Sequence, residues 1–527
     1  MGEDRSVGGS RWWRPLDGLG IALALVVGYP SLLYPLGPDQ ALFSYIGSGW
    51  LEGLWPYVDA MDHKPPGIFY VHAVLAAGFG SASQSAIRLL EWLALPALGW
   101  VIAAVVVRSG RLRDGDVGAA SLILAGLYFT CFDYWDSGQV EFWEGALLLA
   151  AWGIAVRVSH PTLRPLLAGA LSGLAFSFKF PALVVAFGVA VIASRRDASG
   201  GPLSFSAASR AEWKGRLTSV ALFGAGAIAA IGLVLAPFAL RGDLPMLWTA
   251  LVDFNLHYAE HARNASAWHL VKFVTEQAWF YWLALWIAAA LALWGRGSRI
   301  RPTNGTAGIE CAVLFLLGLA SVALQGKYFP YHYGVVVPFF AAAFFVCAHQ
   351  IIHRPAVRLA AAALLVALGI AFAPAWPSNP SMNYRTHGVR AWQHLRGDLS
   401  RDEYLAPFTG VDRYRYQRLE RIGTLIRSNA QEGDTLCVNG FEPAIYVVAG
   451  LRCPSPFFAV HLLWGSYNRS FEDGLWVQRH RRVLAENPPT FRVVTAGPPL
   501  ERLKENGYRA IAEIDGWFVL ERDREIP

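Results

Sequence analysis

Eleven apolar runs, separated by polar stretches, constrain this 527-residue chain more than any other feature. A helix needs about 20 apolar residues to cross the hydrocarbon core of a bilayer, and fewer when it packs inside a bundle. The runs lie at about 17–36, 84–107, 117–132, 139–156, 165–178, 180–194, 217–240, 277–294, 308–324, 334–352 and 357–374. Charged residues make up 46 of the first 374 positions but 38 of the last 153. The second proportion is the ordinary soluble one, about a quarter, and the first is half of it. The expected architecture is therefore an all-α polytopic membrane bundle of about 11 transmembrane helices over 1–374. A small water-exposed α/β domain follows over 375–527. Five cysteines in the chain exclude a disulfide-rich secreted fold.

Arginines set the expected sidedness. Arg11 and Arg14 precede the first run, which lacks a small-residue cleavage site and reads as a retained helix rather than a signal peptide. Arg108, Arg111 and Arg113 follow the second run, Arg157 and Arg164 the fourth, and Arg195, Arg196, Arg210, Lys214 and Arg216 the sixth. Arg296, Arg299 and Arg301 follow the eighth, and Arg354 and Arg358 the tenth. Every second loop is basic, as the positive-inside rule requires. Both flanks of 165–194 are basic, so that stretch must cross an even number of times, as two short helices with Lys179 at their turn. The N-terminus is then cytoplasmic and 375–527 lies outside the inner membrane. The net charge of +6 belongs to this loop pattern and implies no nucleic-acid partner. Besides Lys504 in the outer domain, lysines 64, 179, 272 and 327 fall on the outer side of the bundle against that trend.

The first outer loop carries the densest chemistry. Apolar positions 42, 43, 46, 50 and 54 share one helical face, so 40–54 is predicted as an amphipathic juxtamembrane helix lying on the membrane surface. Asp39 precedes it, where an aspartate serves either as an N-cap or as a carboxylate held beside Lys64. Lys64-Pro65-Pro66 presents a cation on a stiffened backbone, although a lysine at an interface also snorkels without any further role.

Asp39, Gly53/Pro56/Tyr57 and Lys64-Pro65-Pro66, taken together, resemble the bacterial glycosyltransferase C superfamily, in particular protein O-mannosyltransferases and the aminoarabinose transferase of lipid A. The likeness continues at Gly80 and Arg88, at Lys179 after Gly173-Leu-Ala, and at Tyr328-Phe-Pro-Tyr331-His332-Tyr333. In the tail it includes Asp434-Thr-Leu-Cys-Val-Asn-Gly440 and Pro443-x-x-Tyr446. One position departs: the usual Asp-Glu pair is Asp39-Gln40 here.

The resemblance implies an integral membrane glycosyltransferase. It would use a polyprenyl-monophosphate sugar donor and a glycan, lipid or protein acceptor hydroxyl on the outer side. It leaves room for a divalent cation and requires no other cofactor. A carboxylate must take the acceptor proton, and Asp39 is the candidate. Lys64, Lys179 and Lys327 are candidates for the donor phosphate, whose charge grows as it departs. Tyr57, Asp62, Glu141, Tyr331 and His332 are candidates for holding sugar and acceptor. Glu141 is preferred over Asp133 and Asp136 because the family carries an acid at this helix start. At a membrane boundary such a carboxylate needs a partner. His257 and His261, four residues apart, have metal-pair spacing, but no third ligand accompanies them and no metal centre is expected.

In the outer domain, 411–430 is predicted helical and 435–439, 491–495 and 516–521 as short strands. Cys437 and Cys453 are expected to form a disulfide there, and Cys131, Cys311 and Cys347 to pack in helices. The sequons at Asn264, Asn304 and Asn468 are short patterns, and Asn304 falls in a cytoplasmic loop. The alternative is a transporter or flippase for a lipid-linked glycan. That class commonly shows inverted repeats and midplane charges, whereas the charges here cluster at outer helix ends. A non-catalytic scaffold would have no need of Asp39 with Lys64.

Overall fold

A computed structural model describes residues 14–80, 83–108, 111–195, 210–261, 268, 278–296, 305–372, 384–409, 414–463 and 470–523. Helices dominate: α1 (Pro15–Gly28), α2 (Pro38–Leu51), α3 (Gly67–Phe79), α4 (Ser83–Val106), α5 (Asp116–Cys131), α6 (Val140–Arg157), α7 (Leu163–Phe176) and α8 (Ala182–Ser194). They continue with α9 (Arg210–Arg241), α10 (Leu244–Trp248), α11 (Phe254–His261), α12 (Trp279–Arg296), α13 (Gly305–Gln325), α14 (Val337–Ile351) and α15 (Pro355–Ala371). Each of the eleven apolar runs coincides with one of these helices. The stretch 165–194 breaks at 177–181, which leaves Lys179 in the turn between α7 and α8. Among the described residues four helical stretches, Pro15–Leu33, Ser85–Val106, Arg210–Arg241 and Thr306–Gln325, are long and apolar enough to cross a membrane.

Among the shorter bundle helices, α5 sits wholly inside. The 16 residues of α5 are all buried. At 1.5 Å per residue α5 reaches about 24 Å, short of a full hydrocarbon core but sufficient for a post wrapped by other helices. Its sequence is apolar on every side, as a fully enclosed helix must be. By contrast α9 exposes Leu217, Val220, Ile228, Leu233 and Leu240. Apolar side chains standing outward along so long a helix form a face for lipid tails.

After α15 come α16 (Tyr384–Leu395), α17 (Arg401–Leu405), α18 (Tyr416–Asn429), α19 (Pro443–Ala449), α20 (Leu475–Glu486) and α21 (Pro498–Glu505). They surround strands β1 (Leu436–Val438), β2 (Phe491–Thr495), β3 (Tyr508–Ile514) and β4 (Trp517–Arg522), arranged in the order β1-β2-β4-β3. β1 and β2 run parallel, and the remaining pairs are antiparallel. β3 is a strand the sequence reading did not contain. Its Ala510, Ala512 and Glu513 favour helix or coil in isolation, and the hairpin with β4 overrides them. The hairpin turns through Asp515 and Gly516, both at positive φ, as a two-residue turn of this kind needs.

Two expectations are corrected. α2 does not lie half-exposed on a surface: every residue from Pro38 to Gly47 is buried. The C-terminal region covers it, with Tyr45 stacked on Phe458 at 4.1 Å and donating no face to solvent. The Cys453 backbone N–H donates to the Tyr45 hydroxyl at 3.0 Å, and the Met61 N–H to the Pro456 carbonyl at 2.8 Å. The first outer loop and the C-terminal region thus share one hydrophobic core, while the bundle has its own. The second correction concerns Cys437 and Cys453, which are buried free thiols rather than a disulfide. A hydrogen bond from Cys453 and the nearby Arg492 guanidinium outweigh burial and bring the Cys437 thiol down to about 7. Lys272 and the three sequon asparagines lie outside the described residues.

Candidate active site

Asp39 is the second residue of α2, behind Pro38, and its side chain caps no backbone N–H. Its Oδ1 lies 3.4 Å from Lys64 Nζ, and its Oδ2 accepts from Gln139 Nε2 at 3.1 Å. Lys64 Nζ also stands 4.6 Å from the centre of the Phe43 ring. Burial pulls the Lys64 ammonium down, but Asp39, Asp62 and Glu141 outweigh it and hold the group above its ordinary range. The lysine is therefore a fixed cation.

The segment behind it explains its placement. The Tyr57 hydroxyl donates to the Lys64 carbonyl at 2.7 Å, and Tyr57 itself sits at φ 67° among Phe69 and Phe238. Expected beside the substrate, its hydroxyl instead braces the lysine's backbone. The Gly67 N–H donates to the Ser177 carbonyl at 2.8 Å, and a Cβ at Gly67 would meet that oxygen at 2.6 Å. This close approach presses the Pro-Pro-Gly segment onto the turn that carries Lys179.

Lys179 Nζ pairs with Glu141 Oε1 at the start of α6, and His332 Nε2 lies 3.8 Å from the same oxygen. His332 belongs to the 3-10 turn Pro330–Val335. That turn reaches Glu141 because Gly334 packs against the α6 backbone, where a Cβ would meet Glu141 Cβ at 3.1 Å. The Tyr331 ring meets His332 edge to face at 4.8 Å. Lys327 Nζ stands 3.0 Å from the centre of the Tyr258 ring. Burial first, then Lys179 and Lys64, push the Lys327 ammonium down to about 7. Lysines from three loops thus feel one another's charge, which is how an anion site is built.

Asp62 lies in the same loop as Lys64. Its Oδ1 accepts from the His63 backbone N–H at 2.8 Å, and burial, which raises its carboxyl, is overcome by His63 and Lys64. Asp62, His63 and His461 bring their ligand atoms within 4.8 Å of one another, the one such group among the described residues. A carboxylate with two imidazoles is a donor set suited to a zinc-type ion. The His257–His261 pair does not supply it: the His257 ring packs on Phe471 at 5.3 Å, and the His261 side chain and His269 lie outside the described residues.

Several residues here escaped the sequence reading. Gln139 bonds Asp39, yet it read only as context before Glu141. Glu144 is fully buried one turn beyond Glu141, with neither carboxylate oxygen hydrogen-bonded. Its i,i+3 spacing on an apolar helix was the available signal. For His461, nearly 400 residues from His63, there was none.

A helical bundle whose one end gathers a carboxylate–lysine pair, two further lysines and a buried glutamate, roofed by a small α/β sheet, defines a class of polytopic membrane protein. Solved structures share it. ArnT from Cupriavidus metallidurans bound to undecaprenyl phosphate superposes with a TM-score of 0.59 at 14% identity, covering 96% of this chain and 98% of that one. ArnT from the same organism in the apo state gives 0.58 at 14% identity, covering 95% and 97%. No family model and no curated protein matches the chain. The chain has the fold of these two ArnT structures.

Proposed function

We propose that this protein is a multi-pass inner-membrane glycosyltransferase that moves a sugar from a polyprenyl monophosphate to an acceptor hydroxyl on the extracytoplasmic side. The observation that carries the reading is the Asp39–Lys64 pair at 3.4 Å, with Lys179, Lys327 and Glu141 converging on it. The undecaprenyl phosphate bound by the C. metallidurans protein supports a polyprenyl-phosphate donor.

The step balances as a single displacement. The acceptor O–H gives its proton to Asp39, and the acceptor oxygen bonds to the anomeric carbon. The bond from that carbon to the phosphate oxygen breaks, and its electron pair leaves with the polyprenyl phosphate. Lys64, Lys179 and Lys327 neutralise that charge as it develops. Glu141, held by Lys179 and His332, and Asp62 and Tyr331 orient sugar and acceptor through hydrogen bonds. The acceptor is a cell-envelope glycan, a lipid or a protein. Residues 1–374 form the transferase bundle with its arginine-rich end in the cytoplasm, and 375–527 close over the site outside.

Purified full-length protein with polyprenyl-phosphate sugars and cell-envelope extract should release free polyprenyl phosphate, and Lys64→Ala should reduce this by about 10²–10³-fold. Wild-type turnover in that variant would overturn the site. A cytoplasm-active reporter fused after Pro527 should stay silent, and a strong signal would overturn the orientation.

A further inference from the structure

Position 40, where the resemblance implies a glutamate, holds a fully buried glutamine in the first turn of α2. Gln40 Nε2 donates to the carbonyls of Trp135 at 2.8 Å and Ser137 at 2.5 Å, with Tyr134 O at 3.4 Å. Arg88, from α4, grips the same turn. Its Nη1 donates to Ser137 Oγ at 2.6 Å, and its Nη2 to Tyr134 O at 2.9 Å and Pro35 O at 3.1 Å. Gly138 follows at φ 74°, and a Cβ there would meet Arg88 Nη1 at 3.1 Å and Gln40 Cγ at 3.2 Å. The next residue, Gln139, donates through Nε2 to Trp135 O at 3.0 Å and to Asp39 Oδ2 at 3.1 Å. Two side-chain amides meet on the Trp135 carbonyl, one from the helix that carries Asp39 and one reaching back to it.

We propose that Gln40 is a positioning residue of this transferase: its side-chain amide clamps the 134–137 turn so that Gln139 is aimed at Asp39 Oδ2, leaving Oδ1 to face Lys64 and the acceptor. The inference rests on the reading of Asp39 as the base. An ionised glutamate has no hydrogen to donate, and its charge would face two or three carbonyl oxygens at close range. At position 40 an amide can donate these bonds where an ionised carboxylate cannot. Arg88 alone leaves the Trp135 carbonyl, and with it Gln139, unheld on the Asp39 side.

The test compares Gln40→Glu, Gln40→Met, Gln139→Leu and the double variant Gln40→Met/Gln139→Leu in the full-length protein. Three quantities are read: kcat, donor KM and hydrogen exchange over 133–139. Both Gln40 variants should lower kcat by about 10–100-fold, the range for residues that orient a reacting group, while donor KM stays unchanged. Exchange over 133–139 should quicken in both, and Gln40→Glu should be the slower enzyme. The double variant should turn over no more slowly than the worse single one, because both changes remove the same bond to Asp39. A Gln40→Glu enzyme at or above wild-type kcat would overturn the proposal by showing that position 40 accepts an acid. So would a double variant whose loss equals the product of the single losses, or wild-type kcat in Gln139→Leu. If Gln40→Glu does not fold, the neutral Gln40→Met of similar size carries the comparison. Failure of the wild-type protein to transfer any sugar would sink the transferase reading instead, and hydrogen exchange would still decide the clamp.

Discussion

The two ends of the bundle use the same residue types to opposite purposes. At the end away from Asp39, Asp17 Oδ1 accepts from the N–H groups of Gly115, Val117 and Gly118 at the start of α5, while Asp114 Oδ1 accepts from Leu16 and Asp17 at the start of α1. Arg358 pairs with Asp116, and Glu310 receives both Arg108 and Trp152. No carboxylate oxygen among these is buried without a hydrogen bond. At the other end, Asp62 Oδ2, Glu141 Oε2 and His332 Nδ1 are buried and lack one. Charge that holds helices together is saturated by protein, and the proposed site keeps buried polar atoms in reserve.

The largest expected effect would break this contrast outright. Asp39→Asn should lower kcat by about 10²–10⁴-fold with the melting temperature intact, since the proposed general base is removed and no cap is lost. Asp116→Asn should do the reverse: turnover persists while stability drops by about 3 kcal/mol, because Arg358 is left buried and unpaired. Thermal melts and turnover on the two purified variants check the pair. If Asp39→Asn melts early and still turns over, the ends do not differ in kind.

Next in size, Lys179→Met should raise donor KM by about 10-fold or more, as loss of one phosphate-facing cation implies. Donor titration reads this directly, and a change confined to kcat would assign Lys179 to Glu141 alone. A third effect depends on pH. Lys327 is charged below about 7 and neutral above it. Donor affinity that relies on its charge is present below that value and lost as pH rises, so donor KM should climb about 10-fold between pH 6 and pH 8. Lys327→Arg should flatten the profile, because a guanidinium stays charged throughout. The smallest effect sharpens the contrast from the surface: Arg452, paired with Glu52 in the open, should be replaceable by alanine with turnover and melting temperature both unchanged.

How much of this was legible in the sequence follows from distance along the chain. The bundle was, because a bilayer reads hydrophobicity locally, and the turn at Lys179 followed from the arginines on either side. Lys64, Lys179, Glu141 and His332 lie together at one end of the bundle. The burial of α2 was not legible, since its Tyr45 is covered by Phe458, some 400 residues later. β3 owes its form to a hairpin partner rather than to its own residues. Gln139 and His461 have no local pattern that announces what they touch.

That same shared core has a consequence for synthesis. Ribosomes add about 5–20 residues per second, so Met61 waits roughly 20–80 s for Pro456 to emerge. Through that interval α2 and the Lys64 segment stand without the roof that buries them, although most of the bundle beneath them can already assemble. The proposed site is thus completed only by the C-terminal region, and a nascent copy that stalls before β1 is a helical bundle with that site unroofed.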